Sequence, residues 1–374
     1  MSQNKKIKIL QTIRQGKIGG GESHVLDLVE ELDKEKYESV VLSFTPGPMV
    51  DRIKAMGNKI YVIETEKPFD FTKWKQVKEI LEKEKIDIIH AHGTRANSNT
   101  YNSGKKLGIP IAYTVHGWSF HPDQNFILRS LRIWGEKFLV NKADLTICVS
   151  DNNLKDARKE FEMKRATVVK YGINLKKYNP KLEFLDVRSQ LNIEKDTVLV
   201  GYIVRMTKQK DPITLVKAIS LIPSELDIKF LFVGDGELKA DAQKLAKELD
   251  IERRIIFMDF RQDVPNILNA IDIYCLPSLW EGLPIGMLEA MAMNKAVVVT
   301  AIDGAKEVII NEENGILVPV QNPQKLADAL VLVANDAILR KKIGDNAGET
   351  ILKNFSVAKM TRQIEFQYDK LVNK

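Results

Sequence analysis

The chain has 374 residues, of which 44% are hydrophobic and 28% charged, and it carries a formal net charge of +6. The length predicts two domains, each with room for its own core, and the composition is that of a soluble globular protein. No apolar run approaches the length of a membrane span, which excludes an integral membrane protein built of helices.

Strands alternate with amphipathic helices throughout, the pattern of parallel sheets covered by helices on both faces, so the expected class is α/β, doubly wound. The N-terminus MSQNKKIKIL passes straight into a strand at Ile7 to Ile13 without the apolar core of a signal peptide, so the expected location is the cytoplasm. A helix is expected from Glu22 to Leu32. Further strands are expected at Ser39 to Phe44, Lys59 to Ile63, Ile86 to Ala91, Ile109 to Val115, Leu145 to Val149 and Thr167 to Val169. Tyr171-Gly172-Ile173-Asn174 and Tyr178-Asn179-Pro180 mark a linker region, after which the alternation restarts. The second series has strands near Val198 to Ile203, Ile228 to Val233, Ile255 to Phe257, Ile271 to Leu276, Ala296 to Thr300 and Gly315 to Val318, and Ser356 to Leu371 reads as a closing helix. Cys148 and Cys275 both fall in apolar strands and read as small core residues.

Ligands of doubly wound sheets bind beyond the carboxyl ends of the strands, so the loops that follow strands are the informative ones. Gly16 and Gly19-Gly20-Gly21 follow the first strand and let the backbone approach a ligand closely. No Gly-Lys-Ser/Thr follows, so this is no Walker loop, and Glu22 reads as a helix cap before an acceptor contact. His90 and His92 share one face of a strand, but no third ligand completes a zinc site. Thr114-Val115-His116-Gly117 closes another strand, with His121 close behind. Asn125 to Val140 alternates Phe126, Ile127, Leu131, Trp134 and Phe138 with Arg129, Arg132 and Lys137. It reads first as an amphipathic helix packed on its sheet and second as a membrane-surface segment.

In the second half, Arg205 and Lys210 converge after a strand, where two fixed cations can neutralise a diphosphate. Val233-Gly234-Asp235-Gly236 and Met258-Asp259-Phe260-Arg261 end two further strands. Trp280 to Met293, WEGLPIGMLEAMAM, organises the whole. Glu281 precedes a helix that Pro284 is suited to open, Glu289 lies inside it, and the backbone stretch of Gly282, Leu283, Pro284 and Ile285 is expected to turn its free N–H groups outward as an anion site. An anion site flanked by two carboxylates suits phosphates and pairs of sugar hydroxyls, and a nucleotide sugar has both. The chain contains no Asp-x-Asp pair to hold a divalent ion, and none of the aromatic-plus-basic nucleic-acid modules.

Glu281-Gly282-Leu283-Pro284 followed by Leu288-Glu289-Ala290-Met291-Ala292 strongly resembles the signature of the family-4 retaining glycosyltransferases. The resemblance extends through Asp263-Val264-Pro265 and Asn314 to Val318; it is dense from Val200 to Pro323 and thinner before that. It implies the GT-B fold, two Rossmann-like domains facing across a cleft. The acceptor-side domain would be residues 1–176 with a returning helix at 356–374, and the donor domain residues 177–355. It implies a metal-independent transfer with no cofactor, from a nucleotide-diphosphate sugar to a sugar or lipid-linked glycan. UDP is expected as the commonest nucleotide of the group. Arg205 and Lys210 would hold the diphosphate, Glu289 the ribose hydroxyls, and Glu281 with Gly282 to Ile285 the sugar and leaving phosphate. His116 would place the sugar, and Gly20 and Gly21 would face the diphosphate. The family motif has glycine where this chain has Val204, frequent glycine at Asp259, and paired glycines where only Gly304 remains. The mild basicity and the Asn125 to Val140 segment lean toward a lipid-linked glycan of a surface polysaccharide, with peripheral contact at the inner membrane face as an option and no nucleic-acid partner expected. A sugar-nucleotide epimerase or hydrolase of the same fold and a non-enzymatic sugar-binding module are the competing readings.

Overall fold

The computed structural model describes residues 5–16, 19–121 and 124–373. The chain divides into two compact units. One comprises Met1–Gly172 and Val357–Lys374, the other Ile173–Ser356.

The first unit is built on seven parallel strands, β1 (Ile7–Ile13), β2 (Tyr37–Ser43), β3 (Lys59–Val62), β4 (Ile88–His92), β5 (Ile111–Val115), β6 (Leu145–Cys148) and β7 (Ala166–Val168), in the order β3-β2-β1-β4-β5-β6-β7. The second is built on β8 (Val198–Ile203), β9 (Ile228–Val233), β10 (Ile255–Met258), β11 (Ile273–Leu276), β12 (Ala296–Thr300) and β13 (Ile316–Val318), in the order β10-β9-β8-β11-β12-β13. Central strands such as β12, Ala-Val-Val-Val-Thr, are buried along their whole length because helices cover both sheet faces. Carboxylates at the start of strands fix the ladder ends. Asp87 accepts from the Lys8 amide at 2.8 Å, Asp144 from Ile111 at 2.9 Å and Asp272 from Leu199 at 2.8 Å.

The expected strands at Ile86, Ile109 and Ile271 begin two residues late, at Ile88, Ile111 and Ile273. Each leading isoleucine belongs to the helix before it. Lys85 and Gly108 take the left-handed conformation, and the amides of Ile86 and Ile109 reach back to the carbonyls of Leu81 (3.1 Å) and Gly104 (3.0 Å). That is the Schellman closure, whose trailing apolar residue looks in sequence like the start of a strand. Ile271 likewise donates to Ile267.

The helix Val357–Val372 packs on the first sheet, burying Met360, Ile364, Tyr368 and Leu371 in a cluster with Ile9, Leu28 and Ile88. The strand-end cysteines Cys148 and Cys275 are free thiols in the two cores, and burial pushes both thiols well up. No helix among the described residues is long and apolar enough to cross a membrane.

Candidate active site

The strand order of the second unit reverses direction between β8 and β11. Such a switch point leaves a crevice at the carboxyl ends of the two strands. The loop after β8 ends in a tight turn at Lys208–Lys210, followed by Asp211 at φ 47°, ψ 60°. Aspartate tolerates this left-handed conformation because its side chain bonds locally. Here it caps the helix Pro212–Leu221, accepting from the Thr214 amide at 3.1 Å and hydroxyl at 2.6 Å. The Tyr202 hydroxyl, from β8, donates to the Lys210 carbonyl at 2.9 Å. The turn that carries Lys210 is thus held from both sides.

The Lys210 ammonium pairs with the Glu281 carboxylate, which is 10% exposed. Glu281 also accepts from the Ser278 hydroxyl at 2.9 Å and the Gln209 amide at 3.3 Å, and Gln209 donates to the Trp280 carbonyl at 2.8 Å. The Leu279 amide returns a bond to the Gln209 carbonyl at 2.8 Å. The structure therefore brings Lys210 and Glu281 together as one stitched pair of loops. Arg205 is exposed, and no ion pair engages it among the described residues.

Val204, in place of glycine, keeps the strand path. Its amide donates to the Val233 carbonyl at 3.0 Å and that of Met206 to Asp235 at 2.8 Å. The facing turn must then be bare. A Cβ at Gly234 would lie 2.0 Å from the Val204 carbonyl oxygen, and one at Gly236 2.2 Å from that of Met206. Asp235 and Asp259 both pair with Lys239, and Asp235 also accepts from the Phe260 amide, so these acids hold their own turns.

Pro284 does not open the helix Ile285–Ala292; it is the capping residue before it, with ψ 101°. Its carbonyl accepts from Met287 and Leu288. Having no N–H, it adds nothing to the expected anion site, whose donors are the amides of Gly282, Leu283 and Ile285, with Gly286 one position further on. The Leu283 side chain turns into the core, so only its backbone is available to a ligand. A Cβ at Gly304 would lie 2.4 Å from the Gly282 carbonyl oxygen, and one at Gly286 2.6 Å from the Tyr274 hydroxyl. Glycine at both positions lets the Gly282–Gly286 backbone sit against the sheet. Glu289, one turn into the helix, accepts from the Tyr178 hydroxyl at 2.5 Å. Tyr178 is missed by sequence reasoning. Its only signal is a large aromatic in a polar linker.

In the first unit, Gly20 and Gly21 open the helix Gly20–Glu31, two residues before its expected start. The cause is Glu22. Its buried carboxylate accepts from the Gly19 backbone, closing half a capping box, and burial raises its pKa. A Cβ at Gly21 would meet the His116 ring at 3.5 Å. Lys17 and Ile18 of the glycine loop lie outside the described residues.

His116 belongs to a cluster with His24, His90 and His92. The Gln11 amide sets the direction of a continuous chain of hydrogen bonds through three of them. Gln11 Nε2 donates to the Tyr368 hydroxyl at 3.0 Å, which donates to His90 Nδ1 at 2.6 Å, whose Nε2 donates to the Thr114 hydroxyl at 2.7 Å. On its other side Gln11 Oε1 accepts from His92 Nε2 at 2.9 Å, leaving His92 Nδ1 to accept from His116 Nε2 at 3.3 Å. His116 Nδ1 then accepts from the Tyr171 hydroxyl at 2.6 Å. Every ring in this chain is neutral. Burial holds His90 down to about 3 and His116 to about 4, and pushes His92 well below the usual range. The fourth ring, His24, is buried with no hydrogen-bond partner for either nitrogen among the described residues. It stands edge-on to His92, His116 and Tyr171 at 5.2–5.5 Å. The ring nitrogens of His90 and His92 are thus spent within the protein, and no group of three or more metal-ligating side chains is placed to hold an ion among the described residues. His121 lies apart; its amide donates to the Gln124 side chain at 3.2 Å.

Two Rossmann-like units, one carrying a carboxylate–cation loop pair at its switch point, define the GT-B class. The model for "Glycosyltransferase Family 4" matches residues 18–177, and that for "Glycosyl transferases group 1" matches residues 184–350. The chain belongs to the family-4 glycosyltransferases. Among curated relatives, the UDP-Gal:alpha-D-GlcNAc-diphosphoundecaprenol alpha-1,3-galactosyltransferase of Escherichia coli is 27% identical over 100% of both chains. The N-acetyl-alpha-D-glucosaminyl L-malate synthase of Bacillus anthracis is 25% identical over 80% of this chain and 79% of its own. Among solved structures, HepE of Anabaena in complex with UDP-glucose superposes with a TM-score of 0.87 at 22% identity, covering 97% of this chain and 100% of that one. The sucrose-phosphate synthase of Thermosynechococcus elongatus gives 0.82 at 20% identity, over 98% and 99%.

Proposed function

We propose that this glycosyltransferase moves a sugar from UDP to a hydroxyl of a lipid-linked glycan, with retention of configuration and without a metal, in surface-polysaccharide assembly at the cytoplasmic face of a membrane. The observation that carries the donor assignment is the stitched Lys210–Glu281 pair at the switch point, with Arg205 exposed on the same loop. The second unit, Ile173–Ser356, is the nucleotide-sugar domain in this reading, and the first, Met1–Gly172 with Val357–Lys374, is the acceptor-side domain. The basis for UDP and for a lipid-linked acceptor is the Escherichia coli relative, whose name gives both. The alpha linkages in the names of both relatives fit retention of an alpha-linked donor sugar.

Arg205 and Lys210 neutralise the diphosphate, and the amides of Gly282, Leu283, Ile285 and Gly286 receive its oxygens at the positive end of the helix. Glu289 accepts from the two ribose hydroxyls. Glu281 accepts from sugar hydroxyls while keeping the Lys210 ammonium in place. In the first unit the assigned residues are Gly20, Gly21 and His116. The bond from the anomeric carbon to the diphosphate oxygen breaks as the acceptor oxygen bonds to the same face. The acceptor proton passes to the departing phosphate, giving UDP and the glycoside. Charge grows on the leaving phosphate, where the two cations act.

The test is a thermal-shift panel of nucleotides with and without EDTA, followed by proton NMR of the anomeric product. UDP raises the melting temperature regardless of EDTA, and Glu289→Ala abolishes the shift. Donor turnover in the absence of any acceptor at the full rate would favour a hydrolase instead. No shift with any nucleotide would overturn the donor site.

A further inference from the structure

We propose that the outer face of the helix Phe126–Lys142 is a docking surface for an anionic lipid bilayer. This deepens the membrane-side reading above and rests on it for the choice of lipid as occupant; the surface itself stands on the geometry of the helix.

The helix is amphipathic in an inverted sense. Its buried residues are Glu136, Leu139 and Val140. Ile127, Leu131 and Trp134, spaced four and three apart, share one stripe. At 100° per residue that stripe lies about 180° around the helix from Glu136. A helix packed on its own sheet should carry polar side chains there. Here Ile127 is 72% exposed, Leu131 62%, Trp134 68% and the neighbouring Phe126 81%. The Trp134 ring stacks on Phe138 at 6.1 Å, which leaves its outer face bare.

The charge around the stripe selects the occupant. The helix carries four cations, Arg129, Arg132, Lys137 and Lys142, against one carboxylate, Glu136, a net of +3. Glu136 is buried and spent on the Tyr113 and Thr94 hydroxyls at 2.9 and 2.7 Å. Arg129 pairs with Glu160 and Arg132 donates to the Ser119 carbonyl at 2.6 Å, so both are anchored to the protein. Lys137 and Lys142 are exposed on opposite flanks of the stripe. An apolar ridge with an aromatic at its centre, cations on its flanks and no exposed acid is complementary to headgroups above and acyl chains below. The same net charge opposes pairing of this face with a second copy of itself.

The experiment uses the full chain and vesicles of phosphatidylcholine, with or without phosphatidylglycerol. Co-sedimentation with the phosphatidylglycerol vesicles alone, weakened by salt, is the expected result. Trp134 is the reporter: its emission shifts to the blue and is quenched by brominated lipid. The double variant Ile127→Ser, Leu131→Ser lowers binding at least about tenfold. It leaves the melting temperature and the UDP-induced thermal shift unchanged, because both residues are exposed. Failure to bind either vesicle overturns the proposal, as does a dimer on sizing that the double variant dissolves without any vesicle binding. A UDP shift retained alongside either failure leaves the glycosyltransferase reading standing, whereas vesicle binding without any UDP shift would sink that reading and spare this one.

Discussion

The Tyr178 hydroxyl donates to Glu289 at 2.5 Å, joining the stretch that enters the second unit to the helix proposed to hold the ribose. Tyr178→Phe removes this one bond and keeps the ring. A hydrogen bond to a charged acceptor contributes about 1.5–3 kcal/mol. If it orients Glu289 for the nucleotide, the UDP dissociation constant rises roughly fivefold or more. Calorimetric titration checks this, and an unchanged constant would make Tyr178 a purely structural residue.

Arg205 and Lys210 separate charge stabilisation from folding. Arg205→Ala removes an exposed side chain and should leave the melting temperature unaltered. Turnover should nonetheless fall by roughly two to three orders of magnitude, as when an oxyanion donor is lost. Lys210→Ala should match that loss and also destabilise the protein by about 1–3 kcal/mol, because it strands the nearly buried Glu281. Near-normal turnover in both variants would refute the diphosphate assignment.

Gly304→Ala tests the backbone path. The new methyl would stand 2.4 Å from the Gly282 carbonyl oxygen, so the Gly282 segment has to move. The expected cost is about 1–3 kcal/mol of stability, with a smaller thermal shift on adding UDP. Full retention of that shift would mean that the Gly282 backbone does not contact the nucleotide.

The histidine cluster makes the first unit acid-sensitive. A histidine held neutral by burial binds its proton later than the same residue in the unfolded chain, so the unfolded state takes up protons first as pH falls. Stability is complete above about pH 6.5 and declines below it, down to the folded values of about 4 for His116 and about 3 for His90. Each buried ring costs about 1.4 kcal/mol per pH unit within that window. Glu22, whose folded pKa is raised, works in the opposite direction and offsets part of the loss. Chemical denaturation at pH 7.5, 6.0 and 5.0 should show a progressive fall in stability that is shallower in His90→Gln. A flat profile would mean that the rings are protonated in the native state.

The alternation of apolar runs and amphipathic helices was enough to read β8, β9 and β12 to the residue, because central strands covered on both faces are buried along most of their length and read as largely apolar runs. It failed at Ile86 and Ile109 because a Schellman closure and a strand start present the same residue types. The positions of Arg205, Lys210, Glu281 and Glu289 after strand ends were legible from local order alone. Their partners were not. Tyr202, Gln209 and Ser278 reach the Lys210–Glu281 pair through strand order, and nothing in the local pattern announces Tyr368 beside His90, 278 positions away. His24 falls one helical turn beyond Gly21, a spacing that could have put it near the glycine loop but not among three other imidazoles.

The return of the helix Val357–Val372 to the first sheet has a bearing on biosynthesis. Gln11, His90 and Thr114 leave the ribosome early, but the hydroxyl that links Gln11 to His90 belongs to Tyr368. During translation, the polar chain through the first sheet is therefore interrupted at its middle while the entire second unit is being made. At a synthesis rate of roughly 5–20 residues per second, that interval is on the order of ten seconds or more. A nascent chain stalled before Tyr368 would hold a Rossmann-like sheet with an uncovered apolar face, a natural client for a chaperone, while its second unit is already complete.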